Sequence, residues 1–536
     1  MTDLDPGLID ALLEPDAYPD DPSARDGIEH VQTHLSHVFL TGNRVYKLHK
    51  AAHFGFVDFR SRGERNADAL REVGLNRRLA PSVYLGVASV AAASGRIRVG
   101  PVRQQLGPRS DDAEHCVVMR RLPEGRDTLS LLEQGTLDRE RLAAAASRIA
   151  RFHAEQRLGI PAPFSADEWR ARMVEPALAC FDELRGTGLE GPASALRLQM
   201  SERADALAER FERRRLEGRG VDGHGDLHLQ HVFFEDAGPI VIDCITFRDD
   251  LRRIDAACDV AFLAMDLAYR QRRDLASHFL QSYAADANDH DLYAVVDFFV
   301  AYRAAVRAKV AQLTADDPEL EPGQRQGAAR SARDHLDAVR SALTPRAPAS
   351  CVVLSGLVGT GKSTVARALA ELVDGVVIAS DRIRKAQAGL APSDRTEASW
   401  REGLYSQDRS AAVYASLLER AKTVVASGRI AILDATYARR ADRERLRNAL
   451  EPLAVRPLLV EATCRREVAL ARLARRLASG TDPSDAGPGL YEPSAARFEA
   501  LDEWPPEERL QIHTDRPDWA ADLQALAPRI RPDSQT

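Results

Sequence analysis

A chain of 536 residues is long enough for two to four domains, each with its own core. Its 44% hydrophobic and 29% charged content is that of a soluble globular protein; no apolar run nears bilayer-spanning length, and the acidic start Met1-Thr2-Asp3-Leu4-Asp5 is unlike a basic signal peptide. The net charge of −7 and six cysteines without a C-x-x-C or Cys/His spacing exclude a basic polynucleotide coat, a zinc module and a disulfide scaffold, and predict reduced, buried thiols in a cytoplasmic protein.

In chain order, residues 38–40 and 45–48 flank Thr41-Gly42-Asn43 and predict a β-hairpin with a Gly-Asn turn. Residues 61–79 have helical periodicity, and Val117-Val118-Met119 predicts an edge strand leading to a hinge. From about 128 to 215 the pattern is mostly helical. Residues 221–247 form a loop-and-strand segment, and 255–340 return to long helices. Residues 341–350, Ser-Ala-Leu-Thr-Pro-Arg-Ala-Pro-Ala-Ser, read as a linker. Beyond it, apolar runs at 351–355, 376–380, 430–434 and 456–462 alternate with helical periodicity at 364–373, 411–426, 440–449 and 466–478. That alternation predicts βαβ units and a parallel sheet covered by helices. Charge divides unevenly: the first 350 residues carry 46 basic and 54 acidic side chains, the remainder 27 and 26. An acidic first half repels bulk nucleic acid.

In the first half, His224-Gly225-Asp226-Leu227-His228 precedes Ile240-Val241-Ile242-Asp243, placing two Asp seventeen positions apart, the second at the end of an apolar strand. With residues 38–47 and 72–81, these segments resemble the aminoglycoside phosphotransferase-like family, which shares the protein-kinase fold. More closely they resemble a two-domain bacterial group that fuses this module to a P-loop kinase. The resemblance implies that Lys47 holds the α/β-phosphates of ATP and that Glu72 pairs with Lys47. It also implies that Asp226 accepts the proton of the acceptor hydroxyl and that Asp243 holds Mg²⁺. Only six of the 73 basic residues are Lys, so a Lys at 47 and another at 362 stand out from an arginine-rich background. Two departures stand beside the resemblance. Five positions after Asp226, where the family commonly has a metal-binding Asn, stands His231, and imidazole suits Mg²⁺ poorly. No G-x-G-x-x-G precedes Lys47. This half is therefore slow, uses another metal, or only binds its ligand. Asp255 and Asp259 read as N-terminal helix charge and core packing, and Tyr302, Arg303, Arg307 and Lys309 as a solvated helix face.

The second half opens with Gly356-Leu357-Val358-Gly359-Thr360-Gly361-Lys362-Ser363, an unbroken G-x-x-x-x-G-K-[ST] between an apolar strand and a helix that begins near Thr364. In that context, backbone N–H groups from Gly356 to Thr364 cradle a nucleoside triphosphate. Lys362 reaches the β- and γ-phosphates and the Ser363 hydroxyl ligates Mg²⁺. The apolar run 430–433 ends in Asp434, a Walker B carboxylate, and no acidic residue follows it as in motor ATPases. Instead Asp381 closes the run 376–380, with Arg384 following. This Ser-Asp-x-x-Arg string resembles polynucleotide kinases, zeta-toxin-like sugar-nucleotide kinases and small-molecule kinases alike. It implies Asp381 as the base toward an acceptor hydroxyl and Arg384 as an acceptor ligand. Arg439 is a second candidate acceptor ligand. Arg472 and Arg476, one helical turn apart, face the nucleotide, and 480–489 suits a lid loop.

The expected architecture is an α+β kinase-like bilobal domain over 1–340, the linker 341–350, and an α/β P-loop domain over 351–536. The expected activity is an ATP- and Mg²⁺-dependent phosphotransferase acting on a hydroxyl of a small-molecule or nucleotide-type acceptor, with the P-loop half the better-supported catalyst. The alternatives are a polynucleotide or nucleotide-sugar kinase, for which residues 439–447 would bind an oligonucleotide, and an ATP-binding switch whose first half is retired. Nucleic acid is the disfavoured partner and no membrane is expected.

Overall fold

The computed structural model describes residues 4–530 apart from 5, 34, 55–56, 94, 105–112, 391–393, 395–406 and 480–486. The chain divides into two compact units, Met1–Glu183 with Phe211–Arg270, and Leu184–Arg210 with Gln271–Thr536.

The first unit is built on an antiparallel six-stranded sheet of β1 (Glu29–Gln32), β2 (Ser36–Leu40), β3 (Arg44–His49), β4 (Tyr84–Ala93), β5 (Arg96–Val99) and β6 (Glu114–Arg120), in the order β1-β2-β3-β6-β4-β5. The expected hairpin is β2–β3, with Leu40 opposite Val45. The expected edge strand at 117–119 lies instead inside the sheet. β6 pairs with β3 on one side and β4 on the other, and Val117 and Val118 are fully buried. An apolar run without alternation is what a strand covered on both sides needs, so its position was misread from pattern alone. Helix α1 (Arg62–Asn76) is started by Ser61, whose hydroxyl accepts from the Glu64 amide, and packs Ala69 and Val73 against Val83, Tyr84, Val87 and Val117.

Helices α2 (Arg139–Glu155) and α3 (Ala166–Asp182) follow. The chain then runs through β7 (Gly220–Asp222), a loop over 223–231, and the hairpin β8 (Val232–Glu235) and β9 (Gly238–Val241). β10 (Arg253–Asp255) returns to pair with β7. Asp255 caps helix α4 (Ala256–Tyr269) and forms a two-pronged ion pair with Arg214, both at 2.8 Å and both fully buried.

In the second unit, helices α5 (Arg273–Asp286), α6 (Leu292–Asp316) and α7 (Pro322–Leu343) cluster with a parallel five-stranded sheet rather than with the first unit. Asp297 on α6 takes both prongs of Arg429 at 2.7 and 3.1 Å, and Asp286 at the end of α5 pairs with Arg382 at 2.6 Å. The expectation of a solvated face on α6 fails at Tyr302 and Arg303, which are buried. Packing against neighbours overrides the polar reading of a Tyr-Arg pair whose stems are largely apolar.

The sheet comprises β11 (Cys351–Ser355), β12 (Val376–Ala379), β13 (Ala431–Asp434), β14 (Leu458–Thr463) and β15 (Arg509–His513), ordered β12-β13-β11-β14-β15. All five residues of β11 are buried, as a central parallel strand covered by helices requires. The helices are α8 (Lys362–Val373), α9 (Ser380–Gln387), α10 (Gln407–Ala426), α11 (Arg440–Leu450), α12 (Arg466–Ser479) and α13 (Trp519–Ile530). Val352, Leu354, Val365, Leu369, Ile432, Val460 and Ile512 form the core of this sheet with Leu523 and Leu526 of α13. β15 and α13 had no sequence expectation. Among the described residues, no helix is long and apolar enough to cross a membrane. Five cysteines are buried and Cys464 is half-buried, all as free thiols.

Candidate functional site

Two polar constellations lie at loop–strand junctions, one in each unit. In the first unit, β3 presents Lys47 and α1 presents Glu72, and the Lys47 Nζ donates to Glu72 Oε1 at 3.0 Å and to Asp243 Oδ1 at 2.8 Å. Burial opposes the Lys47 charge, but the two carboxylates outweigh it and raise the ammonium well above its ordinary range. Burial pushes Glu72 up, against the pull of Lys47. Asp243 follows β9 in a left-handed turn (φ 61°), and its amide donates to the Tyr84 hydroxyl at 3.1 Å. Burial acts to raise its carboxyl, and Lys47 and His231 hold it well below the usual range.

Asp226 sits in the loop after β7 among three imidazoles. Burial favours its neutral form, but His228, His231 and His224 keep it ionised below the usual carboxylate range. His224 is fixed by its Nε2, which donates to the Ile242 carbonyl at 2.8 Å, and burial lowers its pKa to about 4. His231 lies between the two carboxylates: its Nδ1 is 3.6 Å from Asp226 Oδ2 and its Nε2 is 3.7 Å from Asp243 Oδ2. The loop itself hangs on Asp259 of α4. This fully buried carboxylate accepts from the amides of His224 (2.7 Å) and Gly225 (2.8 Å), and lies 3.0 Å from the Nε2 of buried His153 on α2. Asp259 thus does more than supply helix charge. Only a loop folded back onto α4 reveals it, and His153 gave no signal in the sequence.

In the second unit, the loop after β11 wraps close against β14 and α12. A Cβ on Gly356 (φ 140°) would lie 2.3 Å from the Ala462 carbonyl oxygen, and one on Gly359 (φ 80°) 2.8 Å from that of Ala469. Both positions are closed to any side chain, so the backbone alone forms the cradle. The cradle fits a polyphosphate. Lys362 Nζ caps it from within, donating to the carbonyls of Gly356 (3.0 Å) and Leu357 (2.7 Å). Burial, and then Arg476, lower its pKa to about 8. Val358 packs under the loop with Leu473 and Tyr491, while Thr360 donates to the Leu357 carbonyl at 2.8 Å.

At the ends of β12 and β13 stand the hard oxygen donors that Mg²⁺ prefers. Asp434 is pushed up by burial and accepts from the Ser363 hydroxyl. Asp381 lies one residue inside α9, rather than at the end of the strand, and its Oδ1 accepts from Arg384 Nη1 at 2.5 Å. Arg384 therefore reaches the expected base itself. Arg439 forms a two-pronged pair with Asp442 at 2.8 and 3.0 Å. Arg472 donates to the Thr514 hydroxyl and carbonyl, both at 2.8 Å, and that hydroxyl donates to the Thr360 carbonyl at 2.7 Å. Arg472 thus braces the loop through Thr514, a residue that the sequence did not flag. The expected lid, 480–489, lies largely outside the described residues. Thr364, in the first turn of α8, donates its amide to Gly361 at 3.0 Å.

Comparison with known proteins resolves the family. A model described as the phosphotransferase enzyme family matches residues 41–299, and one described as an AAA domain matches 351–501. An uncharacterized protein of Mycobacterium tuberculosis is 33% identical over 412 residues, spanning 76% of this chain and 78% of its own length. A Mycobacterium bovis protein matches equally. The chain belongs to this two-module phosphotransferase family. Membership makes it a kinase, with a kinase-like first module and a P-loop second module. Among solved structures, an amicoumacin kinase is similar at 15% identity, covering 63% of this chain and 94% of its own, with a TM-score of 0.39. A gluconokinase from Sinorhizobium meliloti is similar at 21% identity, covering 35% and 99%, with a TM-score of 0.24.

Proposed function

We propose that the chain is an ATP-dependent tandem phosphotransferase whose P-loop module moves the γ-phosphoryl group to a hydroxyl of a small-molecule acceptor. The observation that carries this reading is the convergence of Lys362, the Ser363–Asp434 pair and the Asp381–Arg384 pair around one glycine cradle. Ser363 and Asp434 would hold Mg²⁺, which when bound supplies charge neutralisation to the phosphate oxygens. Lys362 leaves its two carbonyl partners and turns to the β- and γ-phosphates. Asp381, oriented by Arg384, takes the proton of the acceptor hydroxyl as its oxygen attacks phosphorus. The bond from the γ-phosphorus to the bridging oxygen breaks and ADP leaves, with Arg472 and Arg476 on α12 adjoining the developing charge.

A small acceptor is favoured over a polynucleotide by the state of residues 439–447. Arg439 and Arg445 lie against Asp442, Arg440 near Glu444 and Glu503, Arg443 on Glu503 and Arg447 on Glu508. Arginines already neutralised by carboxylates release few counterions on binding a nucleic acid. In the first module, Lys47 and Asp226 support a second transfer site, Lys47 for phosphate and Asp226 for the hydroxyl proton. Its metal position does not fit Mg²⁺, because one of the two protein donors is the imidazole of His231.

The test is Mg²⁺-dependent transfer of labelled phosphate from ATP into a fractionated bacterial metabolite extract by wild type, Asp226→Ala and Lys362→Ala. The expected result is a product that disappears with Lys362→Ala and a separate one that disappears with Asp226→Ala. Products insensitive to Lys362→Ala would refute the P-loop assignment. ATP binding without any product would favour a nucleotide switch.

A further inference from the structure

Asp381 of the P-loop site stands on a helix with little local support. α9 is eight residues long, and its N-cap, Ala379, supplies no side-chain hydrogen bond to the amides of the first turn. A helix this short holds its direction through tertiary contacts rather than through its own propensity. β12, which runs directly into α9, is an edge strand of the sheet, paired with β13.

The end of α5 and the turn that follows it supply the missing support. Both lie upstream of the P-loop module in sequence and belong to the second unit in the fold. Three of their side chains, two positions apart, reach three different elements. Asp286 Oδ1 accepts from Arg382 Nη1 of α9 at 2.6 Å, and Asn288 Oδ1 accepts from Arg420 Nη1 of α10 at 2.6 Å. His290 Nε2 donates to the Val377 carbonyl of β12 at 3.3 Å. Asn288 takes the left-handed conformation (φ 51°) that Asn tolerates at a helix end.

The Asp286–Arg382 pair runs against local preference at both of its ends. Asp286 closes α5, where the helix dipole is negative and no basic residue in the last turn balances it. Arg382 lies in the first turn of α9, where the dipole is positive. Each charge is misplaced on its own helix and suited only to the other, a departure that marks a tertiary purpose beside a functional residue. With 31% of the Arg382 side chain and 27% of that of Asp286 accessible, the pair adds little to global stability. What it fixes is the direction of α9, since Arg382 is the next residue after Asp381.

We infer that Asp286 is a positioning residue for the P-loop reaction: through Arg382 it sets α9 so that Asp381 meets the acceptor hydroxyl. The working P-loop enzyme therefore begins upstream of residues 341–350, at α5. This rests on the reading of Asp381 as the base.

The test measures labelled-phosphate transfer against ATP concentration, at a fixed amount of the metabolite fraction that yields the Lys362-dependent product. It compares the full-length wild type with Asp286→Asn, Arg382→Gln, their double variant and Asp297→Asn, and each protein is also melted by circular dichroism. Asp297 is the matched control. Its two-pronged pair with Arg429 is less exposed, at 21% and 13%, and lies just before β13, at the end remote from Asp434. Asp286→Asn and Arg382→Gln should each lower the maximal rate about tenfold with the ATP KM unchanged, short of the roughly hundredfold cost of a full ångström of misplacement. The double variant should be no slower than either single one, because the two residues act through each other. Asp297→Asn should show the opposite order, with the larger fall in Tm and the rate retained. An undiminished rate in Asp286→Asn, additive losses in the double variant, a rise in ATP KM in step with the lost rate, or the same order in rate and Tm overturns the inference. In each of those cases the Lys362-dependent product still forms in wild type, so the P-loop phosphotransferase reading stands. No Lys362-dependent product in wild type overturns both.

Discussion

Acid should loosen the second unit through one histidine. His290, in the turn between α5 and α6, is buried; its Nε2 donates to the Val377 carbonyl of β12 at 3.3 Å and its Nδ1 accepts from Arg420 Nη1 at 3.2 Å. Burial and the Arg420 guanidinium push its pKa down to about 3, Arg382 acting in the same direction and Asp289 against it. The sign follows from proton counting. Below its ordinary value of about 6.5 the unfolded chain binds a proton that the native chain refuses until about pH 3, so stability is complete above pH 6.5 and is lost as pH falls through that window. For these two values the loss is about 2 kcal/mol at pH 5. The perturbation is His290→Gln, which keeps a donor for Val377 and removes the titration. Urea unfolding followed by circular dichroism between pH 7.5 and pH 5 should show wild type losing about 2 kcal/mol more than the variant, since every other titration cancels in the difference. Parallel pH profiles for the two proteins would refute the reasoning. Because β12 leads directly into the helix bearing Asp381, P-loop product formation should decline over the same window in wild type.

Three further outcomes are expected. Gly356→Ala, which drives a Cβ to 2.3 Å from the Ala462 carbonyl oxygen, should weaken ATP binding by titration calorimetry more than about 100-fold, while Gly63→Ala, with nothing within 4 Å, should leave it unchanged. Asp255→Ala strands the fully buried Arg214 and should cost about 3–5 kcal/mol in denaturant unfolding, most of it recovered by Arg214→Met with Asp255→Leu. Asp259→Asn halves the acceptor capacity that holds the His224 and Gly225 amides. It should lower the Asp226-dependent product about 100-fold and spare the Lys362-dependent one, as measured in the labelled-phosphate assay.

The order of the modules and the P-loop were legible because each is written locally. A central parallel strand must be a continuous apolar run, a polyphosphate cradle must be glycine, and a hairpin turn needs Gly-Asn, so β11, residues 356–363 and β2–β3 announce themselves within a few residues. Lys47, Glu72 and Asp243 were nameable by resemblance. That Lys47 meets both carboxylates within 3.0 Å is a property of the folded sheet and α1, with 170 residues of chain between Glu72 and Asp243.

What the chain could not state locally is partnership. An apolar run reads the same at an edge and inside a sheet, so the pattern at 117–119 does not place β6. Helical periodicity does not report what packs against a face, so it does not reveal that Tyr302 and Arg303 are buried. Position along the chain offers Arg384, Arg439 and Arg472 to ligands; tertiary structure adds what no local pattern states, that they meet Asp381, Asp442 and Thr514, because a charge near low-dielectric packing takes the nearest complementary group. His231 sharpens the distinction. The sequence puts an imidazole at 231, where the family resemblance implies a metal-binding amide. Only the fold decided that His231 stands between the two carboxylates, its Nδ1 2.8 Å from the Asp226 carbonyl oxygen and its Nε2 3.7 Å from Asp243 Oδ2, because the loop that carries Asp226 hangs on Asp259 of another element.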